Sequence, residues 1–157
     1  LKILKKKINI NKSINNYFIK KYYLPDIPLN ISKNLFYFAK SSIDISDGLV
    51  DDLNKLINKQ KVGYILYSNK IPISKNLNNF LKRNNKNILE FISKGDDYQI
   101  LFTSPKKKRN FIKNLSKRIN IKITKIGNTT NVKNQRTIID GKNQLKSINY
   151  RGYYHKF

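Results

Sequence analysis

Residues 49–57 carry the clearest hydrophobic pattern of the chain. Their apolar side chains recur at i, i+1, i+4, i+7 and i+8, the spacing that places side chains on one face of an α-helix: Leu49, Val50, Leu53, Leu56 and Ile57. Ser46, Asp47 and Gly48 precede them and have the composition of a turn. The pattern predicts an amphipathic helix that begins directly after a tight turn.

Two helices are expected ahead of this one. Residues 12–23 have apolar positions at helical spacing, and Pro25 ends that helix. A second helix is expected from about residue 31 to residue 39, with Leu35 and Phe36 facing inward.

Two further helices are expected in the second half of the chain. Pro72 and Ser74 introduce one of them, whose inner face would be Leu77, Phe80 and Leu81. Ser104 and Pro105 have the arrangement of an N-cap followed by proline at the first helical position. The inner face of the helix that they begin would be Phe111, Ile112, Leu115 and Ile119.

Short segments that are apolar or alternate with period two lie between the helices. Strands are expected at residues 41–46, 63–68, 97–103, 121–126 and 137–139. Of these, 97–103 (DYQILFT) is expected to be the most buried. Because strands and helices interleave, the sequence predicts one α+β domain in which a mixed sheet is covered by helices.

Composition limits the class of protein. The 157 residues suffice for one domain, and 39% of them are hydrophobic, which is typical of a globular chain. No apolar run approaches the ~20 residues that a membrane helix needs, and the early lysines do not fit a signal peptide. Without cysteine there is no disulfide framework, so a cytoplasmic protein is expected. Because the chain starts at Leu1 and lacks methionine, a fragment of a longer protein is expected, with a rare start codon as the alternative.

The formal net charge of +24 is extreme and, taken alone, would indicate a nucleic-acid partner. However, lysine is abundant together with asparagine and isoleucine, Ala39 is the only alanine, and the lysines are scattered over every segment. This is the pattern of codons rich in A and T. We therefore expect no specific nucleic-acid partner, although a basic RNA-binding domain stays the alternative from another functional class.

Carboxylates are scarce and clustered. Of nine acidic residues, six lie in residues 44–52 and 96–97. Clustered carboxylates repel one another, so their grouping needs a reason. Two reasons are available, namely divalent metal binding and helix capping.

The segment 43–53, IDISDGLVDDL, is the stronger candidate site. A strand that runs through a turn into a helix brings backbone N–H groups and the positive end of the helix dipole to one point, which suits a phosphate. Asp44 and Ser46 share one side of the strand, and Asp47 follows at the turn. These groups could hold Mg²⁺ and the phosphates that it bridges.

Capping is the alternative explanation for the same segment. Asp47 would cap the helix, while Asp51 and Asp52 would complement its dipole, worth about 0.3–1 kcal/mol each. Capping is favoured for Asp51. A functional role is favoured for Asp44, whose position in a strand gains nothing from capping.

Two other segments have candidate chemistry. In 94–103, Gly95 permits a sharp turn, and Asp96 and Asp97 precede an apolar strand. These residues fit a ligand contact and an ordinary polar loop equally well. The C-terminus, RGYYHKF, could be a hydrophobic latch or a stacking platform, and a lone histidine such as His155 is more often structural. Since the chain has neither a Walker-type loop nor Gly-x-Gly-x-x-Gly, any ATP would be bound by another route.

These motifs together resemble the thiamine-monophosphate kinase family, of the aminoimidazole-ribonucleotide-synthetase-like superfamily. IDISDGL followed by Asp52-Leu53, then GDDYQILFT, then a terminal Arg-Gly-aromatic run with histidine occur in that family's order and spacing. The resemblance covers the chain from about residue 17 to its end. It departs from the family at Lys94-Gly95, where two glycines are usual, and in the terminal residues.

The resemblance implies a role for five residues. Asp44 and Asp47 match magnesium-binding aspartates, and Ser46 matches a serine that contacts ATP. Asp96 matches the acidic residue that contacts thiamine, and Tyr153 matches the terminal aromatic residue that packs on it, although Tyr154 is the alternative. No residue is implied as a general base.

The implied activity is the ATP-dependent phosphorylation of thiamine monophosphate with Mg²⁺. The implied fold is that of the C-terminal domain of the superfamily. Residues 1–40 would be a helical lead-in from a missing N-terminal ATP-binding domain, and 41–157 would be the domain core. The whole enzyme would be a homodimer with no membrane partner. The nearest alternative is another enzyme of the superfamily with a different phosphate acceptor.

Overall fold

The computed structural model describes residue 10 and residues 12–58, 61–95 and 97–146. Five α-helices lie in these ranges: α1 (Lys12–Tyr23), α2 (Leu29–Ser32), α3 (Leu49–Asn58), α4 (Lys75–Arg83) and α5 (Arg109–Arg118). Single 3₁₀ turns cover Leu35–Tyr37, Ser68–Lys70, Ile88–Glu90 and Lys106–Lys108. Within this part of the chain no helix has both the length and the apolar character to cross a bilayer.

Six strands form two sheets in the described ranges. They are β1 (Ser41–Asp44), β2 (Gly63–Tyr67), β3 (Ile100–Thr103), β4 (Gly127–Thr130), β5 (Arg136–Ile139) and β6 (Leu145–Lys146). β1 and β3 form an antiparallel pair, and the other sheet has the order β4-β2-β5-β6. β2 is antiparallel to β4 and parallel to β5, so this sheet is mixed, and the predicted α+β fold is confirmed.

The larger hydrophobic core lies between α3 and the strands. The inner face of α3, as its periodicity predicts, supplies Leu49, Leu53, Leu56 and Ile57 to it. Ile45, Tyr64, Leu66, Ile92, Leu101 and Ile138 complete the buried cluster. This packing fixes the start of α3 against the end of β1, which is the region of the candidate site.

A second, smaller core joins the N-terminal elements to α5. Ile31 and Phe38 are buried against Leu115, and the rings of Phe38 and Phe102 meet edge to face at 5.0 Å. The segment before β1 is thus packed on the β1–β3 side of the molecule.

Two expectations about this segment are wrong. The helix expected over residues 31–39 is a short helix, α2, followed by a 3₁₀ turn, and Phe36 is 92% exposed instead of facing inward. In a 3₁₀ turn, side chains three apart share a face. Leu35 and Phe38 therefore face the core together, and Phe36 is turned away from it.

Three expectations in the second half of the chain also fail. The most buried strand is β2, because β3 is paired on one side only and its leading residues 97–99 are exposed. The side chain of Ser104 does not cap α5, since its hydroxyl donates to the carbonyl of Phe38 at 2.7 Å. The strand expected at 121–126 is a connection without regular pairing, and the ladder with β2 is formed by Gly127–Thr130.

Candidate functional site

The two acidic segments that the sequence identified separately lie side by side. Asp44, the last residue of β1, is paired with Ile100 of β3. Beyond the ladder, the N–H of Ile45 donates to the carbonyl of Gln99, and the N–H of Tyr98 donates to the carbonyl of Ile45, both at 2.9 Å. The turn at 46–48 is therefore held next to residues 93–95 and 97–98.

Two glycines make the close approach of these loops possible. Gly48 has φ +129°, and a Cβ there would lie 2.8 Å from the carbonyl carbon of Ser93. A Cβ on Gly95 would collide with the carbonyl oxygen of Ser46 and would lie 3.1 Å from the Cα of Asp47. Each loop therefore fits only because the other has no side chain at the point of contact.

We expect Gly95→Ala to lower the free energy of unfolding by about 1–3 kcal/mol or more, because backbone on both sides must move to admit the methyl group. Gly141→Ala is the matched control, since a Cβ there would meet only the side chain of Asn69 at 3.4 Å, an ordinary contact. Urea denaturation of the two variants is the measurement. Equal stability of the two would show that the loops are not interlocked at Gly95.

Asp52 organises the turn between β1 and α3. Its side chain is fully buried, and its Oδ2 accepts the N–H groups of Ser46 and Asp47 at 2.9 Å and of Gly48 at 3.2 Å. Its Oδ1 accepts the Lys55 ammonium at 2.8 Å. Burial alone would raise the pKa of Asp52, but the hydrogen bonds from Lys55 and from the turn amides outweigh burial and lower it. Asp52 is therefore a buried anion that holds the turn closed.

This arrangement corrects the expected phosphate site at the turn. The N–H groups of residues 46–48, which were expected to be available to a phosphate, are donated to Asp52. Sequence reasoning considered Asp52 only as a complement to the helix dipole. One sequence signal could have indicated this role. Asp52 lies in the first helical turn after Asp47-Gly48, and from there a side chain can reach back to the start of the helix, as in a capping box.

Lys55 joins Asp52 to one of the predicted metal ligands. Its ammonium contacts Asp47 Oδ2 as well as Asp52 Oδ1. These hydrogen bonds, to Asp47 first and Asp52 second, raise the pKa of Lys55, so the side chain stays a cation at every physiological pH. The side chain of Asp47 is 37% exposed and thus accessible to a ligand from outside.

The other predicted residues are placed as follows. Asp44 is exposed at the end of β1, and Ser46 is partly buried at the start of the turn. Ser46 and Asp47 line one open cavity together with Lys94, Gly95 and other residues of the neighbouring loop. Asp96, Tyr153, Tyr154 and His155 lie outside the described residues.

The described residues do not form a complete metal-binding cluster of their own. Over residue 10 and ranges 12–58, 61–95 and 97–146, no three His, Cys, Asp or Glu side chains are grouped closely enough to hold an ion. Carboxylate oxygens are nevertheless the ligands that Mg²⁺ prefers, and it is often bound by one or two carboxylates together with waters and substrate phosphates. Asp44 and Asp47 have carboxylates that solvent can reach, and Asp47 but not Asp44 lines the open cavity.

Comparison with known proteins finds relatives along nearly the whole chain. No protein-family model matches the chain. The thiamine-monophosphate kinase of Buchnera aphidicola from Acyrthosiphon pisum is 37% identical over 156 residues, which is 98% of this chain and 47% of that protein. The kinase of Aquifex aeolicus is 37% identical over 93 residues, or 59% of this chain and 30% of that protein.

The fold gives the same result. A structure of AaThiL complexed with AMPPCP and TMP superimposes with a TM-score of 0.78 and 26% identity, covering 99% of this chain and 46% of that one. The chain is a homologue of the thiamine-monophosphate kinases. This confirms the family predicted from the motifs.

The homology has a defined extent. The chain spans about half the length of the thiamine-monophosphate kinases that it matches along nearly all of its own residues. The corresponding enzyme of Stenotrophomonas maltophilia, at 22% identity and a TM-score of 0.72, shares the fold.

Proposed function

We propose that this chain is the C-terminal half of a thiamine-monophosphate kinase, which transfers a phosphoryl group from ATP to thiamine monophosphate and forms thiamine diphosphate. One observation carries the proposal: the chain matches these kinases along nearly its whole length in both sequence and fold. The structural relative AaThiL was obtained with AMPPCP, an ATP analogue, and TMP. ATP, of which AMPPCP is an analogue, and thiamine monophosphate are the substrates proposed here.

Asp44 and Asp47 would hold Mg²⁺ together with ligands from the other half of the enzyme. Mg²⁺ would neutralise charge on the phosphate oxygens during transfer. Asp47 already faces a cation, the Lys55 ammonium. A metal at Asp47 would therefore either share the Asp47 carboxylate with Lys55 or displace Lys55 from it. Asp52 would keep its three amide donors in both cases.

Asp52 would position Ser46 and Asp47, which we propose to face the phosphates, without itself contacting a substrate. Because it accepts the amides of residues 46–48, it fixes the backbone from which Ser46 and Asp47 project. Preorganised groups need no rearrangement when charge moves in the transition state. Since the Ser46 amide is already bonded, the proposed contact of Ser46 with ATP would use its hydroxyl.

The thiamine side of the site would be formed by Asp96 and Tyr153. A carboxylate suits the cationic thiazolium of thiamine, and an aromatic ring can stack on it. Phosphoryl transfer needs little covalent help from protein, so we assign no general base. We further propose that the whole enzyme is a cytoplasmic homodimer.

The isolated chain is expected to have little or no kinase activity, because the described residues offer too few carboxylates to complete a magnesium site. The measurement is thiamine diphosphate formation by the 157-residue chain with ATP, Mg²⁺ and thiamine monophosphate. Robust turnover by this chain alone would contradict the proposal that it is half of a catalytic unit.

A further inference from the structure

The ammonium of Lys55 is a cation that the chain itself places at a proposed metal ligand. Its Nζ contacts Oδ2 of Asp47 and lies 2.8 Å from Oδ1 of Asp52. The side chain of Asp47 is 37% exposed and lines the open cavity, so an ion can reach it from outside. Lys55 therefore occupies a carboxylate oxygen that a bound metal would also need.

The two contacts of Lys55 differ in how easily they can be given up. The side chain of Asp52 is 1% exposed, and its Oδ2 accepts the three turn amides. Among the described residues, Lys55 is the hydrogen-bond partner of the other oxygen, Oδ1. A buried oxygen that loses its partner is destabilising, whereas water can replace Lys55 at the exposed Asp47. Lys55 is thus fixed by Asp52, and its contact with Asp47 is the one that can open.

A fixed ammonium changes the charge that an incoming cation meets. Asp47, Asp52 and Lys55 together carry one net negative charge, whereas the two carboxylates without Lys55 would carry two. At contact distances near a protein surface, one unit charge is sufficient to change a binding constant by about an order of magnitude, even after screening by water and salt. Lys55 therefore weakens the binding of a divalent cation that reaches Asp47 alone.

Nucleotide phosphates would offset this effect. Mg²⁺ is commonly bound by one or two carboxylates together with the phosphates of a substrate. Phosphate oxygens beside Asp47 would attract the ammonium of Lys55 as well as the metal. The charge that opposes a free cation would then favour a cation that arrives with phosphate.

From these contacts we infer that Lys55 is a positioning residue for Asp47. It holds the Asp47 carboxylate when no metal is bound, and it disfavours a free divalent cation there until nucleotide phosphates offset its charge. The inference rests on the proposed function for the identity of the phosphates. Its metal-free part concerns only described residues of this chain, so this part is testable without the other half of the enzyme.

Manganese binding tests the inference, because Mn²⁺ can replace Mg²⁺ and broadens the NMR signals of nearby amides. Lys55→Met removes the ammonium and keeps a side chain of similar length. Lys86→Met is the matched control, since Lys86 is as exposed as Lys55 and its ion pair with Glu90 does not line the open cavity. The amide signal of Asp47 is followed in the isotope-labelled 157-residue chain as Mn²⁺ is added.

Lys55→Met is expected to lose half of this signal at an Mn²⁺ concentration about tenfold lower than the parent chain, because the fixed opposing charge is gone. Lys86→Met should behave like the parent chain, and so should Lys55→Arg, which keeps the charge. A variant whose turn was merely disturbed would bind Mn²⁺ more weakly, so damage to the fold cannot produce the expected gain. Lys55→Gln repeats the test in case Lys55→Met does not fold.

A second experiment tests the role of the phosphates. It uses a fusion that carries the unmatched half of the Buchnera aphidicola kinase ahead of Leu1, with bound Mn²⁺ measured by electron paramagnetic resonance. Without nucleotide, the Lys55→Met fusion should bind Mn²⁺ more tightly than the parent fusion. With AMPPCP the difference should shrink, because phosphate charge then offsets the ammonium.

Several outcomes would overturn the inference. Equal Mn²⁺ binding by Lys55→Met and the parent chain would show that Lys55 does not oppose the metal. An equal gain in Lys86→Met would assign the effect to the net charge of the chain. A difference that AMPPCP does not reduce would remove the role of the phosphates.

Product formation by the fusion separates this inference from the proposed function. A parent fusion that forms thiamine diphosphate, while Lys55→Met leaves Mn²⁺ binding unchanged, would overturn the role of Lys55 and keep the proposed function. Tighter Mn²⁺ binding by Lys55→Met, with no product from the parent fusion, would support the role of Lys55 and count against the proposed function.

Discussion

Asp52→Ala is expected to lower the free energy of unfolding by about 3 kcal/mol or more. The change leaves three turn amides and the Lys55 ammonium without their shared carboxylate. Each buried donor that loses its partner costs about 1–3 kcal/mol. The Lys55 ammonium adds little to this loss, because its side chain is half exposed and it keeps its contact with Asp47. Urea denaturation of the purified chain is the measurement.

Asp51→Ala separates this effect from the helix dipole. Asp51 lies in the same first turn of α3, so its loss removes a comparable charge but not the hydrogen bonds to the turn. We expect Asp51→Ala to lower the free energy of unfolding by about 0.3–1 kcal/mol. Similar losses for the two variants would mean that Asp52 acts through its charge alone and does not hold the turn.

The stability that Asp52 provides also depends on pH. Its pKa is lower in the folded state, so the contribution is fully present above the ordinary aspartate pKa of about 3.9 and is lost as pH falls toward the folded value. Asp52→Asn should therefore flatten the acid side of the stability profile. A variant with the same slope as the parent chain below about pH 4 would contradict the lowered pKa.

In an enzyme with both halves, Asp44→Asn is expected to lower kcat about a hundredfold, with partial recovery in excess Mg²⁺. A metal ligand acts on phosphate oxygens whose charge shifts during transfer, so its loss affects the transition state more than substrate binding. The measurement is steady-state kinetics with ATP, thiamine monophosphate and Mg²⁺ varied in turn. Wild-type behaviour of the variant would remove Asp44 from the metal site.

Asp96→Asn is the contrasting variant in the same assay. Its proposed contact is with the thiamine moiety, which does not react, so the KM for thiamine monophosphate should rise while kcat changes little. One charge-assisted hydrogen bond is worth about 1.5–3 kcal/mol, or about ten- to a hundredfold. A change in the KM for ATP alone would show that Asp96 does not contact the thiamine moiety.

Periodicity predicted the elements whose neighbours lie close in sequence. The amphipathic face of α3 was predicted in this way. The helix that Pro72 and Ser74 were expected to introduce is α4, and the hydroxyl of Ser74 accepts the N–H of Leu77 at 3.1 Å. The role of Ser104 was not predicted, because its hydroxyl bonds to Phe38, 66 residues earlier. Of the isoleucines in 121–126, Ile123 and Ile126 pack against the two cores without forming a strand. Which residues pair with β2 is decided by the sheet and not by this pattern.

The candidate site was predicted in its parts but not in its organisation. The sequence indicated the turn at 46–48 and the glycine at 95, but not that the two loops interlock, since this depends on the pairing of β1 with β3. Asp52 was missed as the centre of the turn because its role depends on burial, and burial depends on the packing of α3. The contacts of Lys55 with Asp47 and Asp52 were missed for the same reason, because they too depend on how α3 is packed.

The most direct test of the central claim is the product formed by the fusion of this chain with the unmatched half of the Buchnera aphidicola kinase. The fusion is supplied with ATP, Mg²⁺ and either thiamine monophosphate, thiamine or aminoimidazole-type ribonucleotides, and products are separated by chromatography. We predict thiamine diphosphate from thiamine monophosphate and no phosphorylation of the other acceptors. Preferential use of another acceptor, or a folded fusion that consumes no ATP with thiamine monophosphate, would contradict the account.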